Sequence, residues 1–114
     1  MIKKHFIIVE DEVRSGEMLR DLFLDLRPEW KMLAHLKSIE ETIAWFQNNP
    51  QPDLVFMDIE LADGNCFSIF NTITIAGAII FTTAYSEFAL KAFEQNSIDY
   101  LLKPIKEKEL ERAI

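Results

Sequence analysis

The stretch DLVFMDIEL, residues 53–61, ends an apolar run on a carboxylate. Residues 54–57 have the length and composition of a buried strand, and Asp58 comes directly after them. Aspartate is poor strand material and is costly to bury without a partner. Either Asp58 leaves the strand into solvent and caps the next segment of the chain, or the strand is a rigid support that holds a reactive acid. The rest of the chain decides between these interpretations.

The composition indicates one globular domain. The chain has 114 residues, of which 49% are hydrophobic and 27% charged, and its formal net charge is −7. Such an acidic surface repels phosphate backbones, so we expect no direct nucleic-acid binding by residues 1–114. A single cysteine, Cys66, excludes an internal disulfide. No apolar window reaches the length of a signal-peptide core or a membrane span, so a cytoplasmic protein without membrane attachment is expected.

Short apolar runs alternate with helical patterns along the chain. The predicted strands are 5–9, 30–38, 54–57, 78–83 and 98–102, and the predicted helices are 13–27, one capped by Ser38, 66–73, 86–95 and a last one after Pro104. Apolar strands separated by helices predict a parallel sheet covered on both faces. Right-handed crossovers make this α/β fold doubly wound, with its reactive crevice beyond the carboxyl ends of the strands.

Polar residues lie after the predicted strands at these carboxyl ends. They are Glu10 and Asp11 after the first strand, Asp58 after the third, Thr82 and Thr83 at the fourth, where the apolar Ala84 follows, and Lys103 after the fifth. Taken one at a time, acids at strand ends are ordinary, threonines form strands, and Lys-Pro is a common turn. Their joint placement favours a shared site.

Converging carboxylates repel one another and need a cationic partner. Lys103 is one candidate, and Mg²⁺ is the other, because it prefers carboxylates, water and phosphate oxygens as ligands. Asp11 and Asp58 would supply carboxylates, with Glu10 acting directly or through water. Asp58 would then attack phosphorus as a nucleophile, while Lys103 and Thr83 hold phosphoryl oxygens.

Four motifs in order, IIVEDE, LVFMDIEL, IIFTTAY and DYLLKP, resemble the receiver domain of bacterial two-component response regulators. The resemblance spans nearly the whole chain. It implies the flavodoxin-like (CheY-like) sheet order 2-1-3-4-5. It also implies a phosphorelay signalling protein, not a turnover enzyme, in which Asp58 accepts a phosphoryl group from a sensor histidine kinase.

The resemblance implies further roles for single residues. Glu10, Asp11 and Asp58 would bind Mg²⁺, and the backbone carbonyl of Glu60 would complete the protein ligands. The implied switch residues are Thr83 and Tyr100, Ala84 leaves room for the phosphoryl group, and the Lys103–Pro104 bond is often cis in this family.

The stretch TTAYSEFALKAFEQNSIDYLLKPI, residues 82–105, resembles the LytTR (AlgR/LytR-like) subfamily. Its receivers precede a DNA-binding LytTR output domain that regulates transcription. We expect that domain to be absent from residues 1–114 and the last helix to be truncated. The surface of the fourth helix, fifth strand and fifth helix would change on phosphorylation and would serve a homodimer.

Two departures and three rival functions qualify the resemblance. The first acid is Glu10 where many receivers have aspartate, and the interval from Asp58 to Thr83 is short, so the third helix or its exit loop must be trimmed. A haloacid dehalogenase-type phosphohydrolase would need D-x-D at the first strand. A pseudo-receiver would not keep all the acceptor, metal and lysine positions, and a flavin site would need a phosphate-cradling loop where the acids lie.

Overall fold

Five parallel strands form the central sheet of the protein in a computed structural model, which describes residues 4–84 and 99–114. The strands are β1 (His5–Val9), β2 (Lys31–Leu36), β3 (Leu54–Asp58), β4 (Ala78–Thr83) and β5 (Asp99–Leu102). Their order is β2-β1-β3-β4-β5, and all four pairings are parallel. The predicted flavodoxin-like, doubly wound α/β fold is therefore confirmed.

Helices cover both faces of the sheet. They are α1 (Val13–Leu26), α2 (Ile39–Asn48), a 3₁₀ helix (Cys66–Asn71) and a C-terminal helix (Glu107–Ala113). One core joins α1 and the C-terminal helix to the sheet, and a second core joins α2 and the 3₁₀ helix to the opposite face. The helix predicted at 86–95 lies outside the described residues. None of the helices in residues 4–84 and 99–114 is long and apolar enough to cross a membrane.

The central strand β3 is buried on both faces, which explains its unbroken apolar sequence. Leu54 and Phe56 pack in the core on the α1 side, while Val55 and Met57 pack in the core on the α2 side. Because side chains alternate along a strand, Asp58 lies on the α1 side with Phe56. The acid is thus placed at the carboxyl edge of the sheet by two layers of packed apolar side chains.

The segment after β3 contains the short helix predicted at 66–73, which ends two residues earlier than expected. It forms a six-residue 3₁₀ helix, Cys66–Asn71, after a small hairpin that pairs Glu60–Leu61 with Gly64–Asn65. The Asn65 side chain accepts from the N–H of Phe67, and Ser68 Oγ donates to the Asn65 carbonyl, which closes a tight turn. The next residues are rich in threonine and isoleucine, which are weak helix formers. This is the trimmed region that the short interval before Thr83 requires.

The hairpin is fastened to α2 by a carboxylate. Asp63 accepts from the backbone N–H groups of Ile39 at 2.9 Å and Glu40 at 3.2 Å, while the predicted cap Ser38 accepts from the N–H of Glu41. The N–H of Ile39 chiefly, and that of Glu40 in addition, lower the pKa of Asp63 below its ordinary value of 3.8. Two side chains from distant parts of the chain therefore share the capping of one helix.

Replacing Asp63 with alanine is expected to reduce the free energy of unfolding by about 1 kcal/mol at neutral pH, the usual cost of a lost helix cap. Because the folded-state pKa is lowered, this contribution is present above the ordinary pKa of 3.8 and is lost as the pH falls through the folded value. Urea unfolding at neutral pH and at a pH below the lowered folded-state pKa of Asp63 measures the difference. Ser38→Ala is the matched control, since an uncharged cap loses a similar amount with no such acid dependence. An Asp63→Ala deficit that persists unchanged in acid would contradict the assignment.

Candidate functional site

Three strands bring two acids and one lysine together at the carboxyl edge of the sheet. Glu10 comes after β1, Asp58 ends β3 and Lys103 comes after β5. The ammonium of Lys103 lies 3.1 Å from Asp58 Oδ2 and forms a second ion pair with Glu10 Oε1. The predicted convergence of separate strand ends is therefore what the structure shows for these three side chains.

Asp58 is buried, with 5% of its surface exposed. Its Oδ2 accepts from Lys103, and its Oδ1 lies 3.4 Å from the backbone N–H of Glu60, the first residue of the hairpin. A carboxylate in this position does not simply emerge into solvent. Of the two interpretations of the opening stretch, the structure supports the strand as a rigid support for the acid.

Glu10 is equally buried, and every polar part of it has a partner. Its carboxylate accepts from the N–H of Glu12 at 3.1 Å and pairs with Lys103. Its backbone N–H donates to the carbonyl of Leu36 at 2.8 Å, and its carbonyl lies 2.9 Å from His35 Nε2. No sequence pattern singles out His35, because its contact depends on how β2 is aligned with β1.

Lys103 is anchored through its backbone as well as its side chain. Its N–H donates to the carbonyl of Thr83 at 2.7 Å, and the Lys103–Pro104 peptide bond is cis, as the family resemblance predicted. Burial lowers the pKa of Lys103, but hydrogen bonding to Glu10 and the negative charge of Asp58 outweigh it, so the net pKa is raised. The lysine is therefore a fixed, fully charged cation at neutral pH.

Asp11 joins the cluster from the solvent side. One oxygen each from Glu10, Asp11 and Asp58 lie within 4.8 Å of one another, and Asp11 is exposed. Partial desolvation raises the pKa of Asp11, and hydrogen bonding to Glu10 and the charge of Glu10 raise it further. Three carboxyl groups at this spacing form a donor set that a hard divalent cation would fit.

The residues predicted after β4 lie at the same edge of the sheet. Thr82 is in register with Asp58, Thr83 is in register with Leu102, and both threonines are buried. Ala84 is exposed immediately beyond them. Tyr100 is half-buried in β5, in register with Phe81, where it packs on the core of the α2 side.

The negative charge of Asp58 acts on the nearby thiol of Cys66. The thiol is fully buried, and its backbone N–H donates to the carbonyl of Ile59 at 2.8 Å. Burial raises the pKa of Cys66 to about 12, with a smaller contribution from Asp58. The side chain stays a neutral thiol and packs in the core, as its apolar surroundings in the sequence predicted.

Comparison with known proteins gives a single family. The family model for the response regulator receiver domain matches residues 6–114. The sensory transduction protein LytT of Bacillus anthracis is 34% identical over 111 residues, which are 95% of this chain and 44% of that protein. LytT of Enterococcus faecalis is 35% identical over 113 residues, or 96% of this chain and 46% of that protein. The chain thus spans less than half the length of these relatives.

Solved structures agree with the sequence matches. A receiver domain (CheY-like) from Methylobacillus flagellatus superimposes with a TM-score of 0.79 at 19% identity and covers 97% of this chain and 95% of that one. The response regulatory domain of protein mrkE from Klebsiella pneumoniae gives a TM-score of 0.78 at 26% identity and covers 96% and 90%. The first likeness concerns the fold alone, whereas the LytT names agree with the predicted subfamily.

Proposed function

The chain belongs to the response regulator receiver domain family, and from this premise we propose that Asp58 is the residue that accepts a phosphoryl group from a sensor histidine kinase. The observation that carries the proposal is the geometry of Asp58. It is buried at the end of β3, 3.1 Å from the ammonium of Lys103 and beside the carboxylates of Glu10 and Asp11. Receivers of two-component systems are not turnover enzymes, and family membership decides against the phosphohydrolase alternative.

The proposed reaction is a phosphoryl transfer to a carboxylate oxygen. An oxygen of Asp58 attacks phosphorus, the bond between phosphorus and the donor atom breaks, and the donor leaves with that electron pair. The N–H of Glu60 orients Oδ1 of Asp58, and Lys103 offsets negative charge on the phosphoryl oxygens. Ala84 has no side chain beyond Cβ and leaves space at this edge of the sheet. We propose that the Thr83 hydroxyl donates a hydrogen bond to another phosphoryl oxygen.

The acidic cluster is the proposed Mg²⁺ site. Its carboxylate oxygens come from Glu10, Asp11 and Asp58, and we add the backbone carbonyl of Glu60 as a fourth protein ligand. This donor set suits Mg²⁺, which takes one or two carboxylates together with waters and phosphate. When bound, Mg²⁺ would neutralise charge on the transferred group. The ends of β1 and β3 and the hairpin would hold these oxygens in place.

Phosphorylation of Asp58 would change the positions of the Thr83 and Tyr100 side chains. A phosphoryl group adds about −1.5 to −2 charge and strong acceptor oxygens, which would draw the Thr83 hydroxyl toward it. Tyr100, half-buried two strand positions before Leu102, would then turn inward. This would reshape the surface of the fourth helix, fifth strand and fifth helix, which we propose as the homodimer surface. The fourth helix lies outside the described residues.

The proposed partners come from the family and from the named relatives. We propose a LytTR-type DNA-binding output domain in the full-length protein, which would make it a cytoplasmic transcription regulator. The receiver itself would not bind nucleic acid, because its formal net charge is −7. Residues 1–114 would form the single receiver domain of that protein.

Incubation of the chain with acetyl phosphate tests the proposal. We expect one phosphoryl group per chain in the intact mass when Mg²⁺ is present, and none when a chelator removes the metal. Three carboxylates share a single ammonium at this site, so the cluster requires a further cation before a second negative group can approach Asp58, and the metal dependence should be complete. A chain that stays unlabelled at saturating donor and Mg²⁺ would instead support the pseudo-receiver alternative.

A further inference from the structure

We propose that His35 is a positioning residue that, with Gly16, holds the backbone of Glu10 so that its carboxylate faces the metal site. This inference rests on the proposed function, since its measurable consequence is the affinity of the acidic cluster for Mg²⁺. His35 touches no predicted ligand oxygen. It acts through the main chain of Glu10.

The edge strand β2 holds both backbone polar groups of Glu10. The N–H of Glu10 donates to Leu36 at 2.8 Å, and the carbonyl of Glu10 is 2.9 Å from His35 Nε2. A carbonyl oxygen only accepts, so the imidazole must carry a hydrogen on Nε2 and donate it. Two consecutive residues of β2 therefore determine where the chain leaves β1.

Gly16 provides the space for the imidazole. A Cβ atom at Gly16 would lie 2.2 Å from Cε1 and 2.4 Å from Nε2 of His35, so no side chain fits there while the ring keeps its place. Glycine inside a helix costs about 1 kcal/mol relative to alanine. Gly16 therefore lets α1 pack against the His35 ring but makes the helix less stable than alanine would.

An irregularity in β2 aims His35 toward α1. Phe6 pairs with Met32, but the next residue, Ile7, pairs with Ala34, so the register skips Leu33. Met32 packs in the core on the α1 side and Ala34 in the core on the other side, although residues two apart in a regular strand share a face. The bulge reverses the alternation, and His35, in register with Ile8, reaches the α1 side. Bulges commonly re-aim side chains at sheet edges and beside sites.

Holding the backbone of Glu10 matters more because the first acidic residue is a glutamate and not an aspartate. Glu10 has one more rotatable side-chain bond than aspartate, so its carboxylate has more rotamer freedom to lose on binding a cation. Fixing the backbone of Glu10 through both its N–H and its carbonyl leaves only the side-chain rotamers to be ordered when a cation binds. Partners that orient metal ligands from outside the coordination sphere commonly change metal affinity by about 10- to 100-fold when removed.

Calorimetric titration with Mg²⁺ alone tests the inference. We expect His35→Met, which keeps the length but lacks the donor, to raise the Kd about 10-fold. His35→Gln places an N–H group at the same distance along the side chain and should restore most of the affinity. Met32→Ala, on the same strand and packed in the core, should lower stability without changing the Kd, which separates positioning from general destabilisation.

A double-mutant cycle adds a test that a purely structural role would not pass. Gly16→Ala alone should weaken Mg²⁺ binding, because the methyl group displaces the ring. In the His35→Ala background the same methyl enters the space left by the ring, so Gly16→Ala should change the Kd no further. Equal effects of Gly16→Ala in both backgrounds would overturn the role given to the pair.

The outcomes separate the inference from the proposed function. A wild-type chain that binds no Mg²⁺ would overturn the proposed function and the inference with it. A His35→Met chain that binds Mg²⁺ as tightly as the wild type would overturn the inference alone. Nitrogen-15 spectra of the imidazole give a readout independent of the metal, and a ring that carries no hydrogen on Nε2 would also overturn the inference.

Discussion

Replacing Asp58 with asparagine is expected to abolish phosphoryl incorporation from acetyl phosphate in the presence of Mg²⁺. The amide of asparagine has no carboxylate lone pair able to form the acyl phosphate, so the loss should be complete and not partial. Intact-mass measurement detects the label directly. In the wild-type chain the label should be a single phosphoryl group.

The variant should remain folded. Lys103 keeps its ion pair with Glu10 when Asp58 becomes neutral, and removing one carboxylate from the cluster relieves repulsion with Glu10 and Asp11. Urea unfolding should therefore show a stability close to that of the wild type. Asp21→Asn is the matched control, because Asp21 is an exposed acid on α1 beside Arg20 and takes no part in the site.

Either of two results would contradict the role of Asp58. Covalent label that survives in Asp58→Asn would place the acceptor elsewhere. Loss of label in Asp21→Asn as well would show that the assay reports something other than the acidic site.

Replacing Lys103 with methionine is expected to lower the rate of labelling by about 100-fold, the usual cost of removing one group that stabilises developing negative charge. The same change should lower the free energy of unfolding by about 2 kcal/mol without Mg²⁺, because Glu10 and Asp58 are buried and lose their shared cation. This figure lies below that for a fully buried pair, since 23% of the lysine side chain is exposed. Labelling rates and urea unfolding measure the two effects.

Mg²⁺ itself serves as a control for the lysine variant. Added Mg²⁺ should recover part of the lost stability in Lys103→Met, because a divalent cation at the cluster offsets the same carboxylates. It should not recover the labelling rate. Lys108→Met, an exposed change in the C-terminal helix, should leave both properties unchanged. A Lys103→Met chain labelled as fast as the wild type would remove Lys103 from the reaction.

The central strands were predictable because each is buried on both faces, whereas their order was predicted from the family resemblance. Such burial produces unbroken apolar runs, as in residues 54–57, and the structure extends that run only by Asp58. The short helix predicted at 66–73 is present, but its type was not predictable, because so short a run with isoleucine and threonine at its end does not distinguish an α-helix from a 3₁₀ helix. The cap that Asp63 provides joins residues 24 apart, and no local pattern marks it.

The main acids and the lysine were predictable from the rule that reactive groups collect at the carboxyl ends of parallel strands. That rule places Glu10, Asp58 and Lys103 at one edge without reference to their side-chain contacts. His35 obeys no such rule. Its position depends on the skipped residue Leu33, and a one-residue slip reverses which face every later side chain occupies.

The ammonium of Lys103, shared between Glu10 and Asp58, has a consequence for the order of events in signalling. One cation for the proposed phosphoryl group is already in place before any donor arrives, and its backbone N–H donates to the carbonyl of Thr83. With Mg²⁺ at the acidic cluster, arrival of the proposed phosphoryl group would then require Lys103 to exchange a carboxylate partner for a phosphoryl oxygen at one nitrogen atom. Because the N–H of Lys103 donates to the carbonyl of Thr83, a shift of Lys103 during such an exchange would also move the end of β4.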